Sequence, residues 1–145
     1  MSLELAKNIK SSNILIFTPF PAAEGSFKSV SENSTNFIGW KYYDKSNVKK
    51  DTKYNNDKNI VFLSFQNWDD DKEKISNILA QISFDTIIVD ETQQMSDSIR
   101  SSDIFSSIKH IYEIHLSGTP YNDKLSGRFK PEEIVTFDFI DMFKY

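Results

Sequence analysis

Cysteine is absent from the 145 residues, so neither disulfides nor thiolate metal sites contribute, and a reducing cytoplasm suits the chain. Glycine is scarce: Gly25, Gly39, Gly118 and Gly127 are the four present, and none is followed by lysine. The phosphate-gripping pattern G-x-x-x-x-G-K-[ST] therefore does not occur in this sequence. Long apolar runs are missing too. The longest span only a few residues, against the roughly 20 that cross a bilayer, so no membrane partner is expected. The amino end has no basic stretch followed by an apolar one, which argues against a signal peptide. Basic residues are not in excess: 17 Lys and Arg face 21 Asp and Glu, a net charge of −4. That balance argues against a free-standing electrostatic clamp on nucleic acid and leaves local contacts open. No internal repeat occurs.

What is present suits one folded domain over 1–145. Hydrophobic residues make up 39% and aromatics 14%, with twelve Phe, enough bulk for a packed interior. Leu3 to Lys10 reads as a short helix. NILIF, Asn13 to Phe17, is a continuous apolar run stopped by Thr18 and Pro19, as expected of a strand buried on both faces. AAEGSFKSVSE predicts a modest helix, and FIGWKYY, Phe37 to Tyr43, a strand. Residues 44–59 are almost wholly polar and read as a long surface loop. IVFLSF, Ile60 to Phe65, is the next buried strand, and KEKISNILAQI carries Ile75, Ile78, Leu79 and Ile82 at helical spacing. FDTIIVDE predicts a strand, MSDSIRSSDIFSSIKH a helix capped by Ser96, and IYEIHLS and EIVTFDF two further strands. Strands alternating with helices imply right-handed crossovers and an α/β fold: a mainly parallel sheet flanked by helices, with its site at the carboxyl ends of the strands.

Three such ends bear chemistry: FTPFP, VDETQ and HLSGTPYN. A carboxylate on that rim can hold hydrated Mg²⁺, a second one can orient an attacking water, and nearby hydroxyls can sense the charge. Asp90, Glu91, Ser117 and Thr119 supply those parts. Taken alone, Asp90 and Glu91 equally suit a helix entrance, where acids are favoured.

VDE followed by SGTP, with Ser117 27 positions after Asp90, resembles the second and third conserved motifs of superfamily 2 helicases. TPFPAAEGSF, FIGW, IVFLSFQNW, FDTIIVDETQ, IHLSGTPYN and EEIVTFDFIDMF follow, in order, the first RecA-like motor domain of the type III restriction-subunit kind. The resemblance implies that Asp90 holds Mg²⁺ through water and that Glu91 activates the water attacking the γ-phosphate of ATP. It places Gln93 where the family often has His, reporting nucleotide state to a second motor domain. Ser117 and Thr119 would couple the nucleotide to the DNA track, and Thr18, Pro19 and Ser64 would approach the phosphate backbone. Phe20 stands where a basic residue is common, which weakens DNA contact there.

The resemblance also implies what is missing: a lobe without the phosphate-loop strand, cut before motif Ia and after motif III, and without the second RecA-like domain. Half a cleft is expected to bind no Mg²⁺ or ATP by itself and to turn nothing over. The absent strand would leave an unpaired sheet edge through which a homodimer is expected. Two functions follow: a fragment of an ATP-dependent DNA helicase or translocase of a restriction-type system, or a non-catalytic remnant serving as a binding or assembly module. A metal-dependent nuclease using Asp90 and Glu91 ranks last, since no downstream catalytic lysine is recognisable.

Other features favour plainer readings. In a strand, Glu113 and His115 would share a face and His110 would point away, which disfavours a metal site. Trp40 and Trp68 suit packing better than base stacking. Lys45, Lys49, Lys50, Lys53 and Lys58 are interrupted by Asp44, Asp51 and Asp57 and suit a solvated loop.

Overall fold

A computed structural model describes residues 2–48, 58–66, 72–80, 82–90, 108–118 and 129–135 of the chain. Strands β1 (Asn13–Thr18), β2 (Lys41–Tyr43), β3 (Asn59–Ser64), β4 (Thr86–Val89) and β5 (Tyr112–His115) form one sheet in the order β2-β3-β1-β4-β5. Every pairing is parallel. The helices among the described residues are α1 (Ser2–Asn8), α2 (Glu24–Asn33) and α3 (Lys72–Leu79).

The central strand explains the unbroken apolar runs. Ile14 and Ile16 join Ile60, Phe62 and Ile88 in one layer, covered by Leu3 and Ala6 of α1, by Phe37 and by Phe27 of α2. Leu15 and Phe17 point the other way and join Val61, Leu63, Ile87 and Val89 beneath Ile75 and Leu79 of α3 and Ile108. Side chains alternating across a strand thus feed two cores, and each fully buried aliphatic or Phe contributes roughly 1.5–3 kcal/mol of transfer free energy.

Polar groups pin the amino ends of the strands. The Asp85 carboxylate accepts the N–H groups of Ser12 (2.7 Å) and Asn13 (2.9 Å), and Asn59 Nδ2 donates to Asn13 Oδ1 at 2.7 Å. The hydroxyls of Ser11 and Thr86 bond each other below the sheet. With the register fixed there, the opposite ends of β3, β1, β4 and β5 finish at one level.

Several sequence expectations need correction. α1 stops at Asn8 rather than Lys10, because Lys10 turns into the left-handed region (φ 64). The N–H of Ser11 then reaches Ala6 O (3.1 Å) and that of Lys10 reaches Lys7 O (2.9 Å), satisfying carbonyls of the last turn. FIGWKYY is strand only from Lys41. Thr35–Phe37 is a 3₁₀ turn capped by Ser34 Oγ, and Gly39 (φ 83) supplies the backbone reversal into β2. The polar stretch begins as a hydrogen-bonded turn at Asp44 and ends inside β3 at Asn59; residues 49–57 lie outside the described ones. In EIVTFDF, Glu133 closes a 3₁₀ turn, Pro131–Glu133, and Val135 is exposed; residues 136–145 lie outside the described ones. The helix expected in MSDSIRSSDIFSSIKH likewise lies outside them up to Ser107.

Candidate nucleotide site at the carboxyl ends of the strands

Parallel register builds the rim. Thr18 pairs with Ser64, Phe17 with Val89, and Val89 with His115. Two backbone bonds extend this ladder past β4: Asp90 N–H donates to Phe17 O at 2.9 Å, and Leu116 N–H donates to Val89 O at 2.8 Å. Ser64, Thr18, Asp90 and Leu116 therefore stand side by side on four adjacent strands, with Ser117 next in the chain. Asp90 and Ser117 are both half-buried, and Gly118 is exposed. The structure thus brings together Asp90 and Ser117, two of the residues picked from the sequence. Glu91, Gln93 and Thr119 lie outside the described residues.

The three residues expected near a phosphate backbone differ in access. Thr18 and Ser64 are both 0% exposed, and Thr18 Oγ1 accepts the N–H of Phe20 at 3.2 Å. The Thr18 hydroxyl shapes the turn, and the Ser64 side chain is buried. Pro19 is half-buried, and Phe20 is exposed.

Asp90 fits the needs of a hydrated Mg²⁺. Its carboxylate is the hard oxygen donor such an ion prefers, carried on a backbone that the Phe17 carbonyl holds at the rim. A water-mediated ion needs few protein ligands, and among the described residues no group of three or more His, Cys, Asp or Glu could hold a metal by itself.

β2 stops short of that rim, its last pair being Tyr43 with Val61, and is followed by Asp44, which sequence reasoning treated as a loop charge. Burial pushes its pKa up, but hydrogen bonds from the Ser46 hydroxyl, Ser46 N–H (2.8 Å) and Asn47 N–H (3.3 Å), with Lys28 at 3.9 Å, hold it below the ordinary 3.8. Glu24, opening α2, is pushed up by burial and by Asp44, with Lys28 opposing. Burial, then Glu24 and Asp44, also raise the Tyr42 phenol. A short polar residue two or three positions before amide donors was the available sequence signal for the Asp44 turn. Asp44→Ala should cost about 1–2 kcal/mol at pH 7, since it removes acceptors from a half-buried turn. Because the folded pKa is depressed, this contribution is present above pH 3.8 and fades as pH falls below it. Urea unfolding of both proteins at pH 7 and near pH 3 checks this, with the gap expected to narrow in acid.

The two histidines do not point apart. His110 Nε2 and His115 Nε2 lie 2.9 and 2.8 Å from the two carboxylate oxygens of Glu113, and His110 Nδ1 donates to Ile108 O at 2.8 Å. His110 precedes β5, so strand alternation does not govern its direction. The His115 ring also packs against Phe129, centroids 4.9 Å apart. Trp40 packs edge-on against Phe37 at 5.4 Å, and Trp68 lies outside the described residues.

A parallel sheet covered by helices on both faces, with an acid and a Ser-Gly turn on neighbouring strand ends, defines a RecA-like α/β lobe. The family model for the type III restriction enzyme, res subunit, matches residues 1–122, and the chain belongs to that family. The family points to a helicase-like ATPase motor domain. No curated protein matches the chain. No helix among the described residues is long and apolar enough to cross a membrane.

Proposed function

We propose that the chain is part of the first lobe of an ATP-dependent DNA translocase of a restriction-type system, with the rim of β1, β4 and β5 as its nucleotide face. The observation that carries this is the ladder extension that sets Asp90 between Thr18 and Leu116, with Ser117 one residue on. When bound, Mg–ATP supplies the scissile phosphoanhydride and the cation that neutralises it. Asp90 would hold that ion through water, and Glu91 would orient the attacking water and take its proton. Ser117, two residues past the end of β5, and Thr119 would relay the state of the site to the nucleic-acid track, and Gln93 would relay it to a facing lobe.

Phosphoryl transfer needs a phosphate cradle and a charge-stabilising group from the facing lobe. The sequence has no G-x-x-x-x-G-K-[ST] loop. The 145-residue chain alone should therefore release phosphate from ATP, Mg²⁺ and DNA only at the background rate. Turnover by the isolated chain that Glu91→Gln abolishes would contradict this division of labour.

A further inference from the structure

We propose that Phe20 is a base-stacking platform, so that the rim at the end of β1 takes an unpaired base of a nucleic-acid strand instead of gripping a phosphate. The inference rests on the reading of the chain as a lobe of a DNA motor.

Phe20 is a large aromatic left 44% exposed at the end of the central strand. Its backbone is held on both sides. Thr18 Oγ1 accepts its N–H at 3.2 Å, and its own carbonyl accepts the N–H of Ala23 at 3.2 Å. It sits in an extended conformation (φ −108, ψ 113) before Pro21, whose ring disfavours the helical alternative. Covering the ring therefore demands little further loss of backbone freedom.

Charge disfavours the phosphate alternative. No Lys or Arg occurs from Thr18 to Phe27. Glu24 opens α2, and Lys28, the first cation, faces Asp44 at 3.9 Å. The hydroxyls of Thr18 and Ser64 are buried. Among the described residues of this segment, a phosphate would meet Glu24 and a lysine that already faces Asp44, whereas the flat face of a base needs no cation. Stacking on an aromatic ring tolerates any base and selects single strands, because the bases of a duplex are already stacked.

The test titrates the whole chain, at low salt, into labelled oligothymidylate, an abasic strand of equal length, and a duplex, and follows fluorescence anisotropy. The expected result is tighter binding to oligothymidylate than to either of the others. Phe20→Ala and Phe20→Leu should each weaken oligothymidylate binding about 5- to 150-fold, Phe20→Trp and Phe20→Tyr should retain it, and all should match wild type on the abasic strand. Leucine keeps the apolar bulk without the ring face, so it separates stacking from general packing. Equal wild-type binding to thymidylate and abasic strands, or no loss in Phe20→Ala and Phe20→Leu, would overturn the stacking role and leave the motor reading standing. Absence of binding to every strand would overturn both.

Discussion

Replacing Phe17 with alanine should destabilise the chain by about 3–5 kcal/mol, the usual cost of deleting a buried ring and leaving a cavity. Phe17 is fully buried in the central strand, registered between Leu63 and Val89, with its ring edge-on to Phe65 at 4.7 Å. Against a total stability of roughly 5–15 kcal/mol for a domain, this is a large fraction. The consequence reaches the rim, because the Phe17 carbonyl accepts the N–H that fixes Asp90. Urea unfolding followed by circular dichroism should show a lowered midpoint with an unchanged slope. Phe20→Ala, the same change three positions on at an exposed site, should stay within about 0.5 kcal/mol of wild type. Equal effects at the two positions would refute the two-core account.

The second large effect concerns chemistry. In a polypeptide joining this chain to a phosphate loop and a second motor lobe, Glu91→Gln should leave Mg–ATP bound and slow phosphate release about 10²–10⁴-fold, the range expected when a general base is lost. The amide keeps the size of the side chain and can still hydrogen-bond water, but it cannot accept the proton. Nucleotide affinity and phosphate release measured together separate the outcomes. A fall in affinity with an unchanged rate per bound nucleotide would make Glu91 a binding group.

The parallel sheet was legible because NILIF, IVFLSF and TIIV are unbroken apolar runs, and in each the alternate residues serve opposite cores. β2 was drawn too long because FIGW has the aromatic content of a strand, whereas Gly39 and the buried Phe37 make it a turn. Propensity over a few residues cannot see that Phe37 is needed beneath α1. Asp90 and Ser117 were picked out by the order of VDE and SGTP, and they come to the same end of the sheet because β4 and β5 are parallel neighbours. Phe20 was marked in the sequence as standing where a basic residue is common, whereas Asp44 was read only as a charge in a loop. The Asp44 turn depends on where β2 stops, and element boundaries are the least secure part of a sequence reading. The His110–Glu113–His115 cluster was missed for the same reason, as β5 begins two residues after His110.

The central claim is that nucleotide sits against the carboxyl-end rim. The chain has no cysteine, so a single one can carry a spin label. Gly118 suits this at the rim, because a Cβ built there meets nothing within 4 Å. Lys109 is exposed and marks the opposite end of the sheet, where its carbonyl accepts Phe84 N–H. In the joined polypeptide, with any other cysteines replaced, Mn²⁺–ATP should broaden the signal of a label at Gly118→Cys strongly and that at Lys109→Cys little. Equal broadening at both sites, or stronger broadening at Lys109→Cys, would contradict the account.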